Sequence, residues 1–156
     1  MAKKKSTKNL SYIKYGAIAF AVIGLIMTVF TFVTYGDLGS YTGIQQIFGY
    51  SEKSGIITLN ILSFSFMTLL AVILPLIGSI SVLFKNKIFR IIGTVVMIAG
   101  CILTFLAPNF VVFASESAFT NYLNPTIGIG AILAGIFFGV GALCNLYAVV
   151  ENNVNK

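Results

Sequence analysis

The sequence predicts an all-α, polytopic membrane protein. A single domain spans residues 1–156, with four transmembrane helices in an up-down bundle and short interfacial helices in the outer loops. Three observations predict this. Apolar residues make up 58% of the chain and charged residues only 9%, against about 25% charged in a soluble domain. So few charges cannot cover a water-facing surface. The mean hydropathy is +0.98. Finally, the apolar residues fall into four blocks, each near the roughly 20 residues that a helix needs to cross the hydrocarbon layer.

The first block runs from Ile13 to Tyr35, the second from Ile56 to Phe84, the third from Ile88 to Ala107 and the fourth from Thr126 to Val150. They leave polar tails at 1–12 and 151–156. No Asp, Glu or Arg lies deep inside any block. Lys14 and Arg90 stand at the mouths, where long side chains can snorkel to the headgroups. The basic start at Lys3, Lys4, Lys5 and Lys8 resembles the front of a signal peptide, but the apolar run behind it is too long and no small-x-small cleavage site ends it. The first block is therefore expected to be a retained helix. The second is longer than a span requires, which predicts tilt or a first turn in the interface. Pro75 lacks an N–H and pushes away the carbonyl of Ala71, predicting a kink.

Charge sets the orientation. Nine of the ten cations lie in the first tail with Lys14, in the turn Lys85–Arg90 and at Lys156; the two longer loops hold only Lys53, beside Asp37, Glu52 and Glu116. The basic side is expected to be cytoplasmic, which puts both termini inside and the chain in the cell membrane. Lys far exceeds Arg, and Ile, Phe and Asn are abundant. That composition suits an AT-rich bacterial genome. The cations form no patch interleaved with exposed aromatics, so nucleic acid is excluded as a partner.

Small residues mark the packing. Gly128, Ala131, Gly135, Gly139 and Ala142 recur at spacings of three and four, one smooth face of the fourth helix. Such a face lets membrane helices approach closely, within the bundle or between copies. The first and third helices align when offset by 76: Lys14 with Arg90, Gly24 with Gly100, Thr28 with Thr104. This is the pattern of a duplicated hairpin, although Pro75 finds no counterpart. Cys101 and Cys144 fall at depths of roughly 20 Å and roughly 9 Å from the inner mouth at 1.5 Å per residue, too far apart to bond.

In the first outer loop, Thr42 and Gln45 have the spacing of a capping box, predicting a short helix with Ile44, Ile47 and Phe48 on one face. In the second, Ser115 is expected to cap a helix carrying Phe119, Tyr122 and Leu123. Phe48, Phe119 and Tyr122 are the candidate partner-contact residues. Asn124-Pro125-Thr126 is no glycosylation acceptor because of its proline.

Chemistry is sparse. The chain has no His, which removes the commonest general base and metal ligand. It holds no phosphate loop, zinc motif or intramembrane carboxylate pair, so neither catalytic residues nor a cofactor nor a metal is expected. Small four-helix multidrug exporters carry an acid in their first helix; this one has Thr28, Thr31 and Thr34 instead. Tetraspan proteins of the claudin type share the up-down order, but their long first loop with its Trp and Cys signature is absent. The polar groups Asn60, Ser63, Thr68, Ser79 and Asn145 are expected inside the membrane, as glue between helices or as a solute path. The function expected first is non-enzymatic contact with a membrane partner, another membrane protein or a second copy, as an accessory subunit or an immunity-type protein. The alternative is a small oligomeric channel or transporter.

Overall fold

The computed structural model describes residues 2–36, 39–54, 57–84, 86–114 and 124–154. It is mostly helical, and four of its helices are long and apolar enough to cross a membrane. These are α1 (Ala2–Ile26), α3 (Phe66–Ile80), α4 (Lys87–Phe105) and α5 (Ile129–Val154). The short α2 (Gly43–Phe48) and five strands lie between them: β1 (Thr31–Tyr35), β2 (Gly39–Thr42), β3 (Tyr50–Ser54), β4 (Ile57–Leu62) and β5 (Thr126–Ile127).

The strands correct the all-α expectation. The first apolar block does not continue as helix to Tyr35. It tightens into a 3₁₀ turn at Met27–Val29 and becomes β1. Thr31, Val33 and Thr34 are β-branched, and Phe32 and Tyr35 are aromatic, a composition that fits a pleated half-buried surface better than a helix. The second block is likewise divided. Its first residues form β4, and α3 begins only after Ser65. Its excess length is therefore a strand, not a tilted span. The third block ends its α-helix at Phe105 and adds a 3₁₀ turn at Ala107–Phe110. The fourth starts as β5, and α5 extends beyond Val150.

The strands build a cap at one end of the helices. β1 sits between β2 and β5, antiparallel to both, while β3 and β4 form a separate hairpin. Residues 112–114 line the free edge of β4: Ser63 N donates to Val112 O at 2.8 Å and Ala114 N to Ile61 O at 3.1 Å. The expected capping box is present at the start of α2. Gln45 N donates to Thr42 Oγ1 at 3.2 Å and Thr42 N to Gln45 Oε1 at 2.9 Å. Gly49 ends α2 at φ 90°, and a Cβ there would stand 2.7 Å from Leu62 O, so both the turn and the packing of β4 call for glycine. The helix expected at Ser115, with Phe119, Tyr122 and Leu123, lies outside the described residues.

The long helices pack mainly as α1 on α5, α5 on α4 and α4 on α3, while α1 and α3 meet less closely. Glycine governs each seam. A Cβ on Gly141 would stand 3.2 Å from Ala17 O, where α5 meets α1; one on Gly78 would stand 2.6 Å from Gly93 O, where α3 meets α4. Pro75 packs onto Gly100. The carbonyl of Ala71 that the proline sets free accepts a hydrogen bond from Thr104 Oγ1 of α4 at 3.2 Å. A neighbouring helix thus satisfies the exposed backbone group, the usual condition for proline inside a spanning helix.

The faces turned away from these seams are apolar too. Ile88, Ile92, Val95, Ile98 and Ile102 of α4 are exposed, as are Ile129, Ile136 and Leu143 of α5. Bare aliphatic stripes of this extent on a water-soluble surface would drive aggregation.

Candidate functional site

The polar groups of the chain gather at two levels. At the cap, Gln46 of α2 is buried, and its Nε2 donates to Ala107 O at 2.7 Å. Ser65 caps α3 through Thr68 N and donates from Oγ to Phe110 O at 2.6 Å. Two side chains from the first loop and its exit thereby hold the 3₁₀ turn that follows α4. Between them lies an aromatic cluster: Tyr35 meets the edge of Phe113 at a ring distance of 5.1 Å, and Tyr41 lies 5.8 Å from Tyr50. Burial pushes the Tyr35 phenol pKa well up, with the neighbouring Tyr41 adding to the effect. The Tyr41 phenol is raised by burial first, then by Glu52 and Tyr50.

The second level lies toward the opposite, lysine-rich end. Asn145 of α5 is fully buried; its Nδ2 donates to Ser81 Oγ at 3.2 Å and Gly78 O at 3.4 Å, and its Oδ1 has no partner. Around it the hydroxyls turn back onto their own chain segments, Ser79 to Leu76 O, Ser81 to Gly78 O and Thr94 to Arg90 O, while Thr104, nearer the cap, shares its one proton between Gly100 O and Ala71 O of α3. This is how isolated hydroxyls are satisfied in an apolar medium. It leaves few free groups to line a path for a polar solute. Arg90 is also enclosed there, with its Nε on Phe84 O at 2.6 Å.

The expected site residues separate between these levels. Asn60 is not in a spanning helix: it lies exposed on β4 and accepts from Ser51 Oγ at 2.7 Å. Ser63 lies between β4 and α3. Thr68 belongs to the cap junction, and only Ser79 and Asn145 of the five polar candidates lie well within the helical region. Phe48 is 71% exposed at the end of α2, whereas Phe119 and Tyr122 lie outside the described residues.

The small face expected on the fourth helix meets several neighbours within the chain. Gly128 lies just before α5, not on it, and abuts Thr31 of β1; Gly135 faces the Phe105 ring; Gly139 lies beside Cys101. Ala131 and Ala142 are buried. Cys101 Sγ points to Gly135 O at 3.2 Å, while Cys144 faces Gly16 of α1, and both thiols are free. Sequence reasoning missed Arg90 and Gln46 as buried polar residues. Arg90 carries only the signal of a cation four residues into a helix; Gln46 has the adjacent capping box but nothing that announces burial. Among the described residues, no group of His, Cys, Asp or Glu could hold a metal.

Comparison with family models, with curated proteins and with solved structures found no match to this chain.

Proposed function

We propose that this chain is a multi-pass protein of the bacterial cell membrane, an up-down bundle of four helices with both termini in the cytoplasm and the strand cap outside. In this reading it acts without catalysis, through contact with another membrane protein, as an accessory subunit or an immunity-type protein. The observation that carries the reading is the closed interior. Small residues draw the helices together, and the hydroxyls of Ser79, Ser81 and Thr94 bond back to nearby backbone of their own segments. A solute path needs hydrogen-bonding groups along it, whereas a contact surface needs shape and apolar area, often dominated by a few aromatics. Phe48, at the exposed end of an anchored short helix, supplies such a group.

The second reading, an oligomeric channel or transporter, draws on the unpartnered Oδ1 of Asn145. The two separate by mutation, scored against the deletion phenotype and corrected for expression. Contact predicts that Phe48→Ala abolishes function and mild-detergent co-purification of the partner, while Asn145→Leu keeps function in whatever fraction folds. A tolerant Phe48 with a well-folded but inactive Asn145→Leu protein would favour transport. Reporters fused after Lys156 and inserted near Ser51 test the topology: the first should be active only in the cytoplasm and the second only outside.

A further inference from the structure

Among the described residues, the exposed aromatic side chains fall into two bands. One lies at the lysine-rich end: Tyr12 and Tyr15 of α1, Phe84 and Phe89 around the turn between α3 and α4, and Tyr147 of α5. The other lies beneath the strand cap: Phe30 after α1, Phe48 at the end of α2, Phe64 and Phe66 at the start of α3, and Phe105 at the end of α4. Between the bands the exposed large side chains are aliphatic, such as Val22 of α1, Ile77 of α3, Val95 and Ile98 of α4 and Ile136 of α5. The aromatics at intermediate depth are covered by the bundle. Phe20 and Phe137 are half-buried and stack on each other, and Phe138 is buried.

Tertiary contacts bring each band to one level. At the lysine-rich end Ala17, Val82 and Ala148 pack together, and each stands within two residues of a band member. The rings of Phe84 and Phe89 lie 5.7 Å apart. At the other end Gly130 abuts the backbone of Phe30, and Gly135 faces the Phe105 ring. Ser65 N donates to Ile47 O at 3.1 Å, which joins the start of α3 to α2. Polar exposure stops at the same levels. Half-buried Lys14 lies between Tyr12 and Tyr15, and exposed Asn86 and Lys87 lie between Phe84 and Phe89. Beyond Phe105 the next exposed polar residue is Asn109, and ahead of Ile129 it is Thr126. No exposed polar side chain occurs from Ile88 to Leu106 or from Ile129 to Leu146.

This profile fits a slab of lipid. Aromatic rings gather where hydrocarbon meets headgroups, and aliphatic side chains fill the layer between. A protein partner would cover one flank, whereas each band draws on at least three of the long helices, as a surrounding solvent does. The helix rise gives the spacing: Phe89 to Phe105 spans about 24 Å and Ile129 to Tyr147 about 27 Å. With an ordinary tilt of about 20° these project to about 23–25 Å.

We propose that the chain is fitted to a bilayer whose hydrocarbon layer is about 25 Å thick, thinner than the usual ~30 Å, and that it prefers lipids of shorter acyl chain. One boundary runs at Tyr15, Phe89 and Tyr147, the other at Phe30, Phe66 and Phe105. This rests on the membrane reading above and adds to it the depth of the two planes.

The chain holds no Trp, so a single introduced tryptophan reports its own depth. Phe89→Trp, Tyr147→Trp, Phe66→Trp and Phe105→Trp are compared with Ile98→Trp and Ile136→Trp, all at exposed positions that need no repacking. The variants are placed in vesicles of phosphatidylcholine brominated near the headgroup end or near the methyl end of the acyl chains. Phe48, which the proposed contact uses, stays wild type. The four band tryptophans should be quenched more by the shallow bromine, and those at positions 98 and 136 more by the deep one. Quenching of Phe66→Trp or Phe105→Trp as deep as that of Ile98→Trp would overturn the boundaries. A band tryptophan reached by neither bromine would overturn lipid as its neighbour in favour of a protein partner or a second copy. Thickness is read from melting temperature in dipalmitoleoyl-, dioleoyl- and dierucoyl-phosphatidylcholine vesicles. It should be highest in the first and lower by about 5 °C in the last, since mismatch accumulates with each ångström. A maximum in either longer-chain lipid, or a flat series, would overturn the fitted thickness while leaving the chain in the membrane. Release of the chain from membranes by alkaline carbonate would instead sink the membrane reading itself.

Discussion

Gly135 and Gly139 read as equivalent halves of one small-residue motif, yet they meet different obstacles. A Cβ on Gly135 would approach the Phe105 ring to 2.6 Å, while one on Gly139 would find only Cys101 Sγ at 3.6 Å, an ordinary contact. Gly78, which no motif marks, is the more constrained: its Cβ would stand 2.6 Å from a backbone oxygen and 3.0 Å from a backbone nitrogen of α4. A ring can swing aside, but two packed helices must separate. Gly78→Ala is therefore expected to destabilise by about 1–3 kcal/mol, the usual cost of overpacking. Gly139→Ala should stay within about 1 kcal/mol of wild type, since the gain in helix propensity offsets a mild contact. Thermal melts in detergent decide, and equal melting temperatures for the two variants would contradict this account of the seams. Spacing along one helix shows which residues share a face, but the hardness of what faces them belongs to the partner helix and is invisible in the sequence.

At the level of elements, hydropathy located the four helices and misjudged where the first stops and where the second begins. Thr31–Tyr35 and Ile57–Leu62 are apolar enough to extend a span, and a hydropathy window counts Val or Ile alike in helix and strand. The discriminating signal was present in the β-branched density of both segments, and it was outweighed by continuity with the apolar run. The strand assignment matters to the candidate site, because it takes Asn60 and Ser63 out of the long apolar helices. The capping box at Thr42 was legible because it is a local pattern. The anchoring of α2 to Ala107 was not, since that bond joins residues far apart in the chain. The cap that these contacts build should respond to alkali. Tyr35 and Tyr41 hold their protons to higher pH when folded than when unfolded. Their contribution is intact below the ordinary phenol pKa of about 10 and declines as pH rises above it, where the unfolded chain ionises first. Melting temperature should fall above about pH 10 in the wild type and fall less steeply in a Tyr35→Phe, Tyr41→Phe double variant. Superimposable pH profiles would show that the buried phenols are not the cause.

Across the whole molecule, the sequence was most informative about solvent and least informative about neighbours. Composition called for lipid, and the distribution of lysines suggested a direction; neither says which helix touches which. The structure pairs the first helix with the last and the middle two with each other, and β1 completes its sheet with β5, nearly a hundred residues later. This pairing has a consequence for how the protein is made. Helices leave the ribosome in order, so α1 is complete long before its main neighbour exists, and in the proposed membrane setting its glycine-lined flank must wait against lipid or a chaperone. α3 waits only for the short turn into α4. A nascent chain arrested before Thr126 would hold a packed α3–α4 pair and an α1 without its principal support. Such a chain also has an unclosed sheet edge, because β1 lacks β5. Assembly is thus completed by the final helix, so the last fifth of the chain closes both the helix packing and the sheet begun at its start.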